Sequence, residues 1–151
     1  LTGEDIVSGR SFDDSIARAS YWIDIHCPRG LSEGGQVHLC TKSCAKRDCP
    51  MITEHADQLP DHDRLHPPEG RWCDVPLRSL LPQSLGGLLV SGRCISADYQ
   101  AMAATRVMAT CMAIGEAAGT AAAFAARHRV EPGELDPTDV RGALSSAGAL
   151  I

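Results

Sequence analysis

Residues 88–129 read LLVSGRCISADYQAMAATRVMATCMAIGEAAGTAAAFAARHR, and the rest of the chain is interpreted around this stretch. Its apolar start, residues 88–90, is followed by Ser, Gly and Arg, which predicts a buried strand that ends in a turn. Residues 110–129 are mostly alanine and contain no proline. They therefore predict a long helix, with Thr110 as its N-cap.

Two glycines interrupt this alanine-rich helix. Gly115 and Gly119 each cost about 1 kcal/mol relative to alanine, so they indicate a face that another group approaches closely. The start of the helix carries unpaired N–H groups and a partial positive charge, which favour an anionic or carbonyl-rich group. Tight packing of the helix on a sheet would explain the small residues equally well.

The string LLVSGRCIS, followed by ATRVMATCMAIGEAAGTAAA, resembles the carboxy-terminal part of the FAD-dependent oxidoreductase family. These flavoproteins are of the broad glutathione-reductase and fumarate-reductase type. In them the helix amino-terminus lies at the pyrimidine edge of the isoalloxazine. The resemblance implies FAD as cofactor, hydride transfer with a small organic substrate, and flavin contacts at Gly92, Arg93, Cys94, Ile95, Ser96, Met108, Thr110, Cys111, Met112 and Ala113.

Composition narrows the class of protein. A length of 151 residues suits one domain with a real core, and a net charge of -5 argues against a nucleic-acid or membrane-surface partner. The most apolar segment carries Glu116 and ends in basic residues, so no membrane span is expected. Seven cysteines, an odd number, without a signal-peptide pattern favour reduced thiols and a cytoplasmic location.

The chain contains no Gly-x-Gly-x-x-Gly loop, with which the resembled family binds the FAD pyrophosphate. The first residue is Leu1 rather than methionine. The expectation is therefore a carboxy-terminal portion whose amino-terminal FAD-binding portion, or a partner subunit, completes the site; homo-oligomerisation stays open. The expected fold class is α/β, a mixed α+β fragment of a Rossmann-like flavoprotein with part of its substrate-side domain.

Three regions are predicted. Residues 1–26 hold a helix and a strand of the substrate-side region. Ser11 would cap a helix through Ile16 and Ala19, and the alternation in SYWIDIH, residues 20–26, predicts a strand. The family places that strand over the flavin, so His26 is a candidate acid or base. A hydrogen-bonded histidine at a strand end is the alternative.

Residues 27–70 form an irregular excursion rich in Cys, His and Pro, expected at the surface. The spacing His38-x-Cys40-x3-Cys44-x4-Cys49 offers four zinc ligands. It has no Cys-x-x-Cys knuckle, however, and the family pattern does not require metal, so no metal is assigned. A zinc-stabilised structural or binding domain without redox activity is the alternative function.

Residues 71–151 return to the FAD-binding domain. The run RWCDVPLRSLLP resembles the family's strand and tight bend, except that Cys73 and Leu77 replace tyrosines. If those tyrosines line the substrate pocket, this pocket is less polar. Arg78 makes either a packing salt bridge or a substrate contact. Asp136 and Pro137 begin a last helix, with Val140 and Leu144 on one face.

The remaining catalytic candidates lie between the flavin turn and the long helix. Tyr99 stands where the family has histidine, and a phenol of ordinary pKa about 10 makes proton transfer there doubtful. Arg106 keeps its family position and would bind a substrate carboxylate or stabilise reduced flavin; the alternative is a buried pair with Asp98 or another carboxylate. A thiol mechanism through Cys94 or Cys111 is disfavoured because the spacing lacks a redox motif.

Overall fold

The computed structural model describes residues 1–28, 39–45 and 47–151. Five helices and two strands lie in chain order: α1 (Gly3–Ser8), β1 (Ser15–Ala19), α2 (Pro50–Thr53), β2 (Cys73–Pro76), α3 (Tyr99–Thr105), α4 (Met108–His128) and α5 (Pro137–Ser146). Short 3-10 turns occupy Ala56–Gln58, Leu77–Leu80, Gly92–Cys94 and Pro132–Glu134. Across the described part of the chain, the fold is a mixture of helices with a small sheet, which agrees with the α/β class.

The sheet consists of β1 and β2, which pair antiparallel with Ala17 opposite Val75 and Ala19 opposite Cys73. The helix expected after Ser11 is therefore wrong. The apolar residues of this segment fit a short strand as well as a helix. The hydrogen-bonded pairing with β2 makes the segment a strand. The strand and tight bend expected within residues 71–82 are confirmed by β2 and the following 3-10 turn.

Residues 20–26 do not form the predicted strand. Their contacts are an isolated bridge between His26 and Leu39 and single bonds such as Ile23 N to Leu65 O at 2.8 Å. Ile23 and Ile25 are nevertheless buried, whereas His26 is exposed. The alternation of apolar and polar residues in this segment thus reflects which side chains are buried, although no strand forms.

The first core forms where α4 packs on β1 and α5. Its members include Ile16, Val75, Ile114 and Val140. By length and composition alone α4 meets the criterion for a membrane-spanning helix, and a third of its most apolar window is buried against this chain. The last helix is confirmed, since the Asp136 side chain accepts from Thr138 N at the start of α5.

Two details around α4 correct the expectations. The helix begins at Met108 after the extended residue Val107, so Thr110 lies buried within the first turn and is not the N-cap. The strand predicted for residues 88–90 is also absent. Leu88 is 42% exposed, and the segment is tied down by Val90 N bonding to Leu80 O.

The second core lies beneath α1 and α3 and includes Ile6, Leu59 and Ala104. Cys40 and Cys49 are buried in it as well. The predicted surface excursion is therefore wrong in part: its described residues have little regular structure, but several of their side chains are core residues. Cysteine behaves as a small apolar residue when buried, which explains why such a sequence can contribute to a core.

Candidate functional site

The turn Gly92–Cys94 lies directly against the start of α4. Gly92 has φ +58°, a left-handed conformation that glycine adopts without a steric penalty. A Cβ placed on Gly92 would lie 3.9 Å from the Cys111 sulfur. The structure thus brings the two predicted flavin-contacting segments into contact.

The amino-terminus of α4 has no side-chain cap. Val107 offers no side-chain hydrogen bond, and the first intrahelical bond runs from Cys111 N to Val107 O at 2.9 Å. The N–H groups of the helical residues before Cys111 therefore have no acceptor within the helix. Met108 and Met112 are 78% and 70% exposed beside them. This end of a 21-residue helix favours an electron-rich group.

The other predicted flavin contacts differ in accessibility. Arg93 and Cys94 are exposed, and Ser96 is exposed while its N–H bonds to Ser79 O at 2.8 Å. The side chain of Ile95 belongs to the first core at 5% exposure. Ile95, like Gly92, which has no side chain, can therefore contribute only backbone atoms to a ligand.

The three predicted catalytic residues line one cavity of about 230 Å³. His26 Nε2 lies 2.8 Å from Asp24 Oδ1, and Arg106 Nη2 donates to the main-chain oxygen of Asp24 at 2.9 Å. Tyr99 completes the wall and is 48% exposed. The cavity therefore combines a fixed guanidinium, an imidazole held by a carboxylate, and a phenol.

Arg106 also connects this cavity with the flavin turn. Its main-chain oxygen accepts a hydrogen bond from Arg93 Nε at 3.3 Å. The proposed alternative partner, Asp98, instead caps α3 by accepting from Ala101 N at 2.7 Å, and it accepts from Gly3 N as well. The expectation of an Arg106–Asp98 pair is therefore wrong.

A larger cavity of about 540 Å³ is lined in part by Thr110 and Ala113 from the start of α4. Its wall includes Arg18, whose guanidinium lies 4.1 Å above the Trp72 ring. The sequence did not single out Arg18 or Trp72. The residues are far apart in sequence, so their cation–π contact depends on the pairing of β1 with β2.

Cys73 and Leu77 do not reach either cavity in the part of the chain that the structure describes. Both are buried, and burial, with the nearby charges of Asp5 and Asp74, raises the pKa of the Cys73 thiol to about 12. They therefore do not make these cavities less polar. Arg78 forms an ion pair with Asp14, as the salt-bridge alternative expects.

Three cysteines meet in the second core. The sulfurs of Cys27, Cys40 and Cys49 all lie within 4.8 Å of one another and are buried. Burial and the proximity of the other two thiols raise the pKa of Cys40 to about 12. Of the four zinc ligands considered from sequence, Cys44 is buried outside this group, and His38 lies outside the described residues.

Comparison with known proteins gives one match. The family model described as FAD dependent oxidoreductase matches residues 1–144. Searches of curated proteins and of solved structures found no significant match.

Proposed function

Because the chain belongs to the FAD-dependent oxidoreductase family, we propose that it binds the isoalloxazine end of FAD for hydride transfer with a small organic substrate. FAD is the cofactor of this flavin-dependent redox family, and when bound it supplies the two-electron chemistry. The family match covers almost the whole chain, so the proposal concerns which part of the cofactor these residues hold.

The observation that carries the proposal is the contact between the Gly92 turn and the uncapped start of α4. The donors at that start suit the electron-rich pyrimidine edge of a flavin. The exposed methionines offer apolar, polarisable surface for a flat ring. The residues that would hold the ring are Gly92, Arg93, Cys94, Ser96, Met108, Thr110, Cys111, Met112 and Ala113, with Ile95 contributing backbone only.

We assign the substrate side to the cavity of His26, Tyr99 and Arg106. Arg106 is oriented by Asp24 and would bind a substrate carboxylate. His26, held by the Asp24 carboxylate, would transfer a proton at the reacting carbon or heteroatom. Tyr99 would donate a hydrogen bond to the substrate from its phenol.

The phosphate end of FAD needs residues that this sequence does not provide, because no Gly-x-Gly-x-x-Gly loop is present. We propose that a Rossmann-like amino-terminal portion or a partner subunit supplies it, and that the assembled enzyme works in the cytoplasm with a small-molecule substrate.

The test is to produce the chain together with the polypeptide encoded upstream and to record an absorbance spectrum of the purified product. A yellow complex that bleaches on dithionite is expected. A well-folded, colourless product would overturn the flavin role. If that product also held stoichiometric zinc, the alternative of a metal-stabilised binding or structural domain would replace it.

A further inference from the structure

We propose that Cys27, Cys40 and Cys49 form a structural zinc site in the second core. Their exposed fractions are 4%, 1% and 0%, and their sulfurs converge within 4.8 Å. The three thiols come from three separate places in the chain. This proposal is independent of the flavin function, since no residue of the flavin site takes part.

The sulfur separations match a single tetrahedral ion. A Zn–S bond of about 2.3 Å and a tetrahedral angle place neighbouring thiolates about 3.8 Å apart. Cys27 Sγ and Cys49 Sγ are 3.8 Å apart. A disulfide would require about 2.05 Å. An iron–sulfur cluster binds at most two thiolates on each iron in the [2Fe–2S] form and one in the [4Fe–4S] form, so at least one of the three sulfurs would lie farther away.

Backbone hydrogen bonds hold two of the ligands in position. Cys40 N donates to Ile25 O at 2.7 Å, which fixes Cys40 next to the segment that ends in Cys27. Cys49 is the N-cap of α2, and its carbonyl accepts from Ile52 N at 2.8 Å. The ligands are therefore placed by the fold before any ion binds, which lowers the entropic cost of binding.

A bound metal would also stabilise this region, which has little regular secondary structure. The described residues 39–45 and 47–72 contain only α2 and the turn Ala56–Gln58 as regular structure. A bound ion would cross-link segments that few backbone ladders join, and metal-binding free energy adds directly to folding free energy. Cys73, equally buried in the same core, instead donates to Asp74 O at 3.3 Å and serves as an internal comparison.

Three thiolates leave one coordination position. Cys44 is buried four residues after Cys40, in a turn closed by a bond from Cys44 N to Thr41 O at 3.0 Å. The fourth position is left for a water molecule or another donor, because Cys44 lies outside the group of three converging sulfurs. Zinc prefers four ligands in structural sites, and thiolate is its preferred soft donor.

The test begins with the full chain purified under reducing conditions and titrated with Zn²⁺ alone. About one zinc per chain is expected. With Co²⁺ in place of Zn²⁺, intense sulfur-to-cobalt charge transfer and strong visible bands should report tetrahedral thiolate ligation. Replacing Cys27, Cys40 or Cys49 with serine should weaken Zn²⁺ binding about 100-fold or more, because ligand loss exceeds the 10- to 100-fold effect of losing a supporting contact.

Two control variants separate this site from cysteine burial in general. Cys73→Ala removes an equally buried thiol outside the group, and Cys94→Ser removes an exposed one. Both should keep the wild-type zinc content.

Several results would overturn the proposal. They are a folded, reduced wild-type chain that takes up no zinc or cobalt, a Cys27–Cys49 disulfide in the mass spectrum of freshly isolated protein, and stoichiometric iron with labile sulfide. If the serine variants fail to fold, the Co²⁺ titration of the wild-type chain decides alone. None of these measurements requires bound flavin, so failure of the metal site and failure of the flavin role are distinguishable.

Discussion

The Arg106 guanidinium donates to the main-chain oxygen of Asp24 at 2.9 Å, although 82 positions separate the two residues. The Asp24 carboxylate lies 2.8 Å from His26, and the Arg106 carbonyl accepts from Arg93. One arginine thus joins the flavin turn with the cavity of the candidate catalytic residues. Its guanidinium is placed by this contact with the Asp24 backbone.

The first prediction concerns Arg106→Lys. Lysine keeps the charge but cannot contact the Asp24 carbonyl and a substrate carboxylate with one planar group. We expect kcat/KM to fall about 10- to 100-fold, the equivalent of one charge-assisted hydrogen bond, with flavin content unchanged. The measurement is anaerobic reduction of the bound flavin by a substrate found by screening.

Arg127→Lys, at the exposed far end of α4, is the matched control and should behave as wild type. Equal kinetics of the two variants would remove Arg106 from the substrate site.

The second prediction concerns the start of α4. Met112→Glu places a negative charge at a surface assigned to the flavin ring, where it would also compete for the helix N–H groups. We expect flavin content to fall about ten-fold or more in the co-produced enzyme, measured as the ratio of visible to ultraviolet absorbance. Ala123→Glu makes the same addition at an exposed position farther along the helix and should retain the flavin.

The third prediction concerns acid stability through Asp5. Its carboxylate accepts from Arg10 Nη1 at 2.7 Å and from Thr2 N at 2.9 Å. Burial alone would raise the pKa of Asp5, but these bonds outweigh burial and lower it from its ordinary 3.8. The stabilisation is therefore complete above pH 3.8 and is lost as pH falls through the lower pKa of the folded state.

Asp5→Asn should accordingly reduce the free energy of unfolding by about 1 kcal/mol at pH 7, the usual magnitude for a helix-capping contact. The difference from wild type should shrink below pH 3.8. Urea unfolding at several pH values measures both effects. Asp57→Asn, an exposed carboxyl, should change stability by less than about 0.5 kcal/mol. A pH-independent difference for Asp5→Asn would contradict the role of ionisation.

The fourth prediction distinguishes two cysteines by alkylation. Cys94 is exposed, whereas Cys73 is buried with a pKa raised to about 12. At pH 8 a thiol of that pKa is thiolate in only about one molecule in ten thousand, and the thiolate is the reactive form. Iodoacetamide should modify Cys94 at least about 100-fold faster, as followed by peptide mass spectrometry. Comparable rates would mean that the second core opens readily.

Local patterns predicted the elements whose signals lie within a few residues. The Asp136–Pro137 start of α5 and the strand before the bend at residues 77–80 appear as expected. The long alanine-rich helix is also present, but its N-cap is Val107 and not Thr110, three positions earlier than expected. The position of an N-cap depends on where the backbone is extended just before the helix. Here the chain between α3 and α4 is extended at Val107, so α4 begins directly after it.

Long-range pairing accounts for the predictions that failed. Residues 15–19 form a strand because β2 offers a backbone ladder, whereas among the residues that the structure describes residues 20–26 make one isolated bridge. For the site, sequence singled out His26, Tyr99 and Arg106 individually, but it could not place them around one cavity. Arg18 and Trp72 were missed, since their contact has no local signature.

The sequence by itself determined the family and its FAD cofactor, because these follow from motifs that neighbouring residues carry. Only the tertiary structure decided that the Gly92 turn meets Cys111, that Arg106 reaches Asp24, and that three distant cysteines converge. The physical reason is that such contacts arise from packing between separate segments, whereas a motif is fixed by residues adjacent in the chain.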